Sequence, residues 1–303
     1  MVIKHLVISG GGPTGIKSLG SLKYLNEKGF WSLENIESIY ATSAGSLISV
    51  LILLKFDFET ISNYIINRPW HEVYKLHLAD IYNAFAKKGF LDEKSVEVFF
   101  KPFFDAKDIN MDITMEEFHR HSGVDFHVFS FEINEFKTID ISHKTHPQLL
   151  LKTAIKMSIS IPIVFTPICI DNKCYIDGGI RCNYPLLNCL ANELVIESEV
   201  LGVRNIYTEN KTVVNDESNI LDFFLKFINK LVFFLDTEKK QTSIQNEIVH
   251  DICSDTVSLF TSALKSAEFR EELMKTGEKS AEEFYGKAVV KNCNKLSVVT
   301  LAS

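Results

Sequence analysis

Residues 38–49 read SIYATSAGSLIS: an apolar run, then Thr42-Ser43-Ala44-Gly45, then a second apolar run. That order is a short strand, a tight turn and a helix, with a serine at the turn. A nucleophile elbow has this form and normally reads G-x-S-x-G, whereas Ala41 stands here in place of the first glycine. The positions two residues either side of the serine must be small, because strand and helix backbones cross closely there. Gly45 meets that need and Ala41 nearly does. The competing reading is a plain helix whose first turn is capped by Ser43. The stretches upstream and downstream decide between the two.

Upstream, IKHLVIS (3–9) reads as a buried strand running into Gly10-Gly11-Gly12-Pro13-Thr14-Gly15 and a helix from Pro13 to Glu27. Gly10, Gly12 and Gly15 fit G-x-G-x-x-G, so a nucleotide-binding Rossmann domain is one alternative. It lacks the acidic residue expected at the end of the second strand, which here ends IYATSAG; the G-K-[ST] of a P-loop is also missing. What remains is a glycine turn whose backbone N–H groups converge on one point. Such a nest suits a phosphate or a developing oxyanion. Downstream, Ile176-Asp177-Gly178-Gly179 places a carboxylate at a strand end, with glycines that let another loop approach. Alone it is an ordinary turn. In one chain, a glycine nest, a serine on a strand–turn–helix and a strand-end aspartate are the parts of a hydrolytic site.

The general base separates a triad from a dyad. In the α/β-hydrolase order a histidine follows the acid, and His250 alone follows Asp177, in a stretch that reads as helix. A Ser–Asp dyad needs no histidine and fits better. His119, Arg120 and His121 read as an exposed helix end.

The rest of the chain sets the frame. AGSLISVLILLK (44–55) is apolar almost all round and reads as a central helix. Residues 57–112 read as helical and rich in aromatics, and 57–104 of them are a candidate lid over the site. DFHVFSFEIN and FKTIDISHK alternate as paired strands around Glu135, and PQLLLKTAIKMSIS is a helix with proline at its start. PIVFTPICI, the Asp171-Asn172 turn and KCYIDGG follow, then a short helix at YPLLNCLA and a strand at EVLGVRN. Strands alternating with helices predict an α/β fold with a largely parallel central sheet. One domain over 1–303 is the simplest reading, with all three motifs in 1–205 and a mostly helical portion in 206–303. LSVVTLA (296–302) is a candidate final strand. NILDFFLKFINKLVFFL (219–235) reads as a helix with one narrow polar stripe, favouring core packing over a bilayer-facing surface.

A net charge of −7 without a basic stripe argues against nucleic-acid binding. The six cysteines, at 169, 174, 182, 189, 253 and 293, lack the short paired spacing of a zinc site and read as reduced thiols, with no metal. The N-terminus lacks the features of a signal peptide, and no run approaches the ~20 apolar residues of a span. The expectation is a cytoplasmic protein with at most peripheral, transient membrane contact.

Three motifs in this order resemble the patatin-like phospholipase family. They are Gly10-Gly11-Gly12-Pro13-Thr14-Gly15, Ala41-Thr42-Ser43-Ala44-Gly45 and Asp177-Gly178-Gly179, and the likeness covers about residues 3–204. The resemblance implies a three-layer α/β/α sandwich of acyl-hydrolase type. It also implies Ser43 as nucleophile, Asp177 as its partner, and an oxyanion hole from the amides of Gly10, Gly11, Gly12 and Ala44. Gly15, Ala41, Gly45, Gly178 and Gly179 support the motifs. The implied substrate is a phospholipid or other acyl lipid, cleaved through an acyl-enzyme without metal or organic cofactor. Ala41 and Thr14, the latter where many relatives carry Arg or Lys, are the departures. A catalytically weak lipid-binding or regulatory protein of the same fold is the alternative that Ala41 raises.

Overall fold

Strands β1 (His5–Ile8) and β2 (Ser38–Thr42) lie parallel, with Ile8 opposite Ala41, and every residue in both is buried. Continuous burial explains their unbroken apolar sequences, as interior parallel strands are covered on both faces. The computed structural model describes residues 2–75, 84–207, 213–237, 242–252 and 256–300. Its main sheet runs β10 (Glu247–Ile252), β9 (Val200–Tyr207), β1, β2, β4 (Asp125–Glu132), all parallel. Three strands in antiparallel pairings complete it: β5 (Lys137–Ile141) and β8 (Lys173–Asp177) against β4, and β7 (Ile168–Ile170) against β8.

The register on β4 places the site. Val128 faces Ala41 of β2 and Ile141 of β5, so those two strands occupy opposite edges. Ser130 faces Ile139 of β5 and Asp177 of β8, so β8 lies on the same edge as β2. Strand β2 ends with Thr42 opposite Phe129, and β8 ends with Asp177 opposite Ser130, the next residue along. Two strands running in opposite directions therefore meet end to end along one edge of β4.

Side chains alternate across the sheet. Leu6, Ile8, Ile39 and Ala41 join a large core with helices α1 (Gly15–Glu27) and α2 (Ala44–Leu53). Val7, Tyr40 and Phe129 face the other way, onto the short helix Leu186–Leu190. The three layers are thus unequal, one thick and one thin. Every residue of α2 except Leu47 is buried, in keeping with its sequence. The long helix α9 (Ala267–Thr300) runs against α1, with Gly20 against the Met274 carbonyl and Gly277 against that of Lys17. A Cβ on Gly277 would come within 1.9 Å of that oxygen, so glycine is what lets the two helices touch.

Several elements differ from expectation. Leu296–Thr300 is the end of α9 and forms no strand; residues 301 and 302 of that stretch lie outside the described residues. The strand beside β9 is instead β10, which contains His250 and is no helix. Its burial alternates as in a strand, with Ile248, His250 and Ile252 inward, and the buried polar His250 hides that period in the sequence. Within the region read as helical, α3 (Phe58–Asn67) and α4 (Lys94–Ala106) form, but Gly89–Leu91 (β3) pairs with Ile163–Phe165 (β6) in a second small sheet. Residues 76–83 of that region lie outside the described residues. Helix α5 (Met115–Ser122) carries the Thr114–Glu117 capping box, with His119, Arg120 and His121 in its last turn. Helix α6 (Leu151–Ile159) starts four residues after Pro147. Cys169 and Cys174 are not reduced thiols: they face each other across the β7–β8 hairpin and form a disulfide. The turn between them has Asp171 and Asn172 at φ 51° and 60°, the mirror-type turn that two-residue hairpins favour. Among the described residues, no helix is long and apolar enough to cross a membrane.

Candidate active site

Ser43 joins β2 to α2 at φ 51° and ψ −124°, a backbone conformation that a residue with a side chain adopts only under constraint. Two crossings supply the constraint. A Cβ on Gly45 would stand 2.4 Å from the Ile8 carbonyl oxygen, so β1 and α2 meet there without room for a side chain. The Ser43 N–H donates to Ser158 Oγ on α6 at 2.8 Å, and Ser158 Oγ donates to the Phe129 carbonyl at 2.6 Å. Ala41 is fully buried in the core, so its methyl group is housed and the elbow forms around it.

The cap reading fails on geometry. Ser43 occupies the N-cap position of α2, but its side chain makes no capping bond. Its hydroxyl donates to Asp177 Oδ2 at 2.6 Å. Asp177 Oδ1 accepts from the Gly179 N–H at 2.7 Å, so both carboxylate oxygens are held. Burial pushes the Asp177 carboxyl up to about 6, outweighing the Ser43 hydroxyl and the Gly179 amide, which favour the charged form. A carboxylate this close to a serine hydroxyl is placed to take its proton.

The glycine loop stands beside them. Gly11 and Gly12 take φ 156° and 54°. The Gly10 N–H, expected to face an oxyanion, donates instead to the Asn183 carbonyl at 3.1 Å, so this amide is already engaged. Gly10's own carbonyl accepts from Asn205 Nδ2 at 3.1 Å. Thr14 closes the turn through its own hydroxyl, donating to the Gly11 carbonyl at 2.6 Å. Asn183 and Asn205 were not singled out from the sequence. Asn183 lies only six residues after Asp177, but no local pattern tied either asparagine to a loop near residue 10.

A cavity of about 200 Å³ opens at Ser43, with Gly12, Gly15 and Ala44 in its wall. The remaining lining is almost wholly apolar: Ile16, Leu19, Leu47, Ile48 and Leu51 from α1 and α2, Phe165 from β6, and Phe260 from α8 (Thr256–Lys265). Phe260 lies against the nest, for a Cβ on Gly12 would meet its ring at 2.8 Å. Buried Arg270 also borders the cavity, with its guanidinium donating to the carbonyls of Ile66, Arg68 and Ala263 at the C-terminal ends of α3 and α8. Histidine takes no part in the pair. His250 Nε2 is bonded to Ser21 Oγ at 3.0 Å, and burial holds its pKa down to about 4.

The sequence profile of patatin-like phospholipases matches residues 6–190. Over 185 residues the chain is 28% identical to the probable lipid hydrolase 463L of Invertebrate iridescent virus 6, covering 60% of this chain and 62% of that one. Protein R571 of Acanthamoeba polyphaga mimivirus is 24% identical over 184 residues, 61% of this chain and 60% of that one. The match thus spans about three-fifths of each relative's length. Among solved structures, VipD from Legionella pneumophila is similar with a TM-score of 0.49 and 17% identity, over 91% of this chain and 67% of that one. The profile covers more than half of the chain and spans the glycine loop, the serine elbow and the aspartate turn. The chain therefore belongs to the patatin-like phospholipase family.

Proposed function

We propose that the protein is a lipid acyl hydrolase that cleaves fatty-acyl esters of phospholipids or related lipids through a Ser43–Asp177 dyad. The observation that carries this reading is the 2.6 Å bond from Ser43 Oγ to Asp177 Oδ2, with Ser43 in the wall of an apolar cavity. Asp177 takes the proton as Ser43 attacks the ester carbonyl. The oxyanion is received by amides of Gly11, Gly12 and Ala44, since that of Gly10 is held by Asn183. Each such donor is worth roughly 3 kcal/mol of barrier. Collapse expels the alcohol, which takes the proton from Asp177 and leaves an acyl-enzyme. Water, deprotonated by the same carboxylate, then releases the fatty acid.

A fluorophosphonate probe tests this directly. Labelling of the wild type, lost in Ser43→Ala and strongly reduced in Asp177→Asn, is the expected result. A folded wild type that takes no label sinks the reading and favours a lipid-binding protein of this fold. Product analysis on defined phospholipids, lysophospholipids and triacylglycerol then identifies the ester cleaved.

A further inference from the structure

Ser43 stands between two unlike surroundings. The cavity that opens at it is walled by α1 and α2 of the thick layer and is almost wholly apolar. Asn183 belongs to the thin-layer side, where its neighbours Cys182 and Tyr184 pack against the cluster of Val7, Tyr40 and Phe129. The backbone there is fixed twice: Thr42 Oγ1 donates to the Cys182 carbonyl at 2.8 Å, and the Asn183 carbonyl accepts from the Gly10 N–H at 3.1 Å. The side chain is held as well, since Nδ2 donates to the Asn205 carbonyl at 3.4 Å. That bond assigns the orientation of the amide and turns Oδ1 the other way. Among the described residues, Oδ1 accepts no hydrogen bond.

Two glycines show where that oxygen lies. A Cβ on Gly10 would stand 2.6 Å from Asn183 Oδ1 and 3.0 Å from Ser43 Cβ. A Cβ on Gly179 would stand 3.1 Å from the same oxygen and 2.9 Å from Asp177 Oδ1. Asn183 Oδ1 is thus separated from both Ser43 and Asp177 by no more than one water molecule spans with ordinary hydrogen bonds. Glycine at 10 and 179 keeps that space open. Asp177 Oδ1 accepts one bond, from the Gly179 N–H, and has a second lone pair for a water.

We infer that Asn183 is a positioning residue for the second half of the reaction, holding through Oδ1 the water that releases the acyl group; this rests on the dyad reading above. With an acyl chain on Ser43 filling the apolar cavity, water has to enter from the polar, thin-layer side. One of its O–H groups donates to Asn183 Oδ1 and the other to the Asp177 carboxylate. The water oxygen attacks the acyl carbonyl carbon as Asp177 takes one proton. The bond from that carbon to Ser43 Oγ then breaks, and Oγ recovers the proton from Asp177. Asn183 exchanges no proton. The first half of the reaction needs no such water, so loss of Oδ1 slows the second half alone, whereas a packing defect weakens both.

Stopped-flow hydrolysis of p-nitrophenyl butyrate by the full chain, with intact-mass spectrometry of the quenched protein, separates the two halves. Asn183→Ala is expected to release p-nitrophenol in a stoichiometric burst and then to turn over roughly tenfold or more slowly than wild type. Its kcat and KM should fall together, leaving kcat/KM within about twofold, while the acylated mass accumulates. Hydroxylamine, which attacks the acyl-enzyme without a held water, should restore most of the lost turnover. Asn183→Leu, of similar shape without the oxygen, should show the same burst even if the alanine variant does not fold. Asn183→Asp, which keeps an oxygen there, should deacylate close to the wild-type rate at pH 9. Equal losses in kcat and kcat/KM with no acylated mass, or an unchanged kcat, overturn the proposal. A wild type that takes no fluorophosphonate label and cleaves no ester instead removes the dyad reading, and this proposal with it.

Discussion

Ser158 stands behind Ser43, accepting a hydrogen bond from its amide N–H at 2.8 Å and donating its own hydroxyl to the Phe129 carbonyl at 2.6 Å. One hydroxyl therefore ties the elbow to β4, the strand on which β2 and β8 meet. Removing it leaves a buried N–H and a buried carbonyl unpaired. Ser158→Ala should cost about 1–3 kcal/mol of stability and lower kcat by roughly tenfold or more, at ~1.4 kcal/mol per decade. KM should change little, because the cavity wall is untouched. Chemical denaturation and steady-state kinetics check both parts; unchanged kcat would show that the tie does not position the nucleophile.

The raised pKa of Asp177 gives the proposed dyad a testable acid limb. In that dyad the carboxylate acts charged, so kcat/KM should rise through about pH 6 instead of near 4, the range of an ordinary aspartate. The same shift acts on stability with the opposite consequence. Between an unfolded pKa near 4 and the folded value of about 6, the native state binds more protons than the unfolded chain, so stability falls as pH rises through that window. Asp177→Asn removes that dependence. Its melting temperature relative to wild type should climb from pH 4 to pH 7 while activity is lost; a flat difference would contradict the burial of a charged carboxylate.

Gly45 and Ala41 flank Ser43 symmetrically in sequence but not in space. Gly45→Ala puts a methyl group 2.4 Å from the Ile8 carbonyl, so a strand or helix backbone must move. A loss of roughly 1–3 kcal/mol is expected, with turnover down more than tenfold. Ala41→Gly removes a methyl group the core already accommodates, costing about 1 kcal/mol and leaving turnover within about tenfold, some 1.4 kcal/mol. A much larger rise in the second variant would identify the natural alanine as a brake. Parallel thermal melts and ester kinetics separate the two effects.

His127 sits between Asp140, bonded to Nδ1 at 2.8 Å, and Asp125, 3.2 Å from Nε2. Burial opposes its charge, but the two carboxylates prevail and raise its pKa to about 9. The stabilisation is full below the unfolded histidine pKa of about 6.5 and is lost as pH rises through 9. His127→Gln should therefore lower the melting temperature most at pH 6, with the gap narrowing toward pH 10. A pH-independent gap would mean that packing against Tyr40, whose ring stacks at 4.3 Å, dominates.

Much of the site was legible because its chemistry is local. The small residues around Ser43, the glycines after Ser9 and the carboxylate before Gly178 each satisfy a constraint within a few residues of chain. The same locality made β1, β2 and the β4–β5 pair readable, since buried strands write their period directly into the sequence. Gly10 shows where this stops. Its glycine character was visible, but the donation of its N–H to Asn183 depends on a residue 173 positions away being folded against it.

The elements misread are those whose environment overrides their pattern. Helix α7 (Ile220–Thr237) is apolar enough for a core, but Ile220, Phe223, Phe224, Phe227 and Leu231 lie exposed, against the expected core packing. LSVVTLA carries strand-forming residues, but β10 holds the edge position beside β9 and Leu296–Thr300 continue α9 as helix. By itself the sequence determined the chemical parts of the site and the α/β frame, because turn geometry and side-chain periodicity are short-range. Only the tertiary structure decided that Ser43 and Asp177 touch. That depends on β2 and β8 ending one residue apart on a third strand, a relation between segments more than a hundred residues apart that no local pattern records.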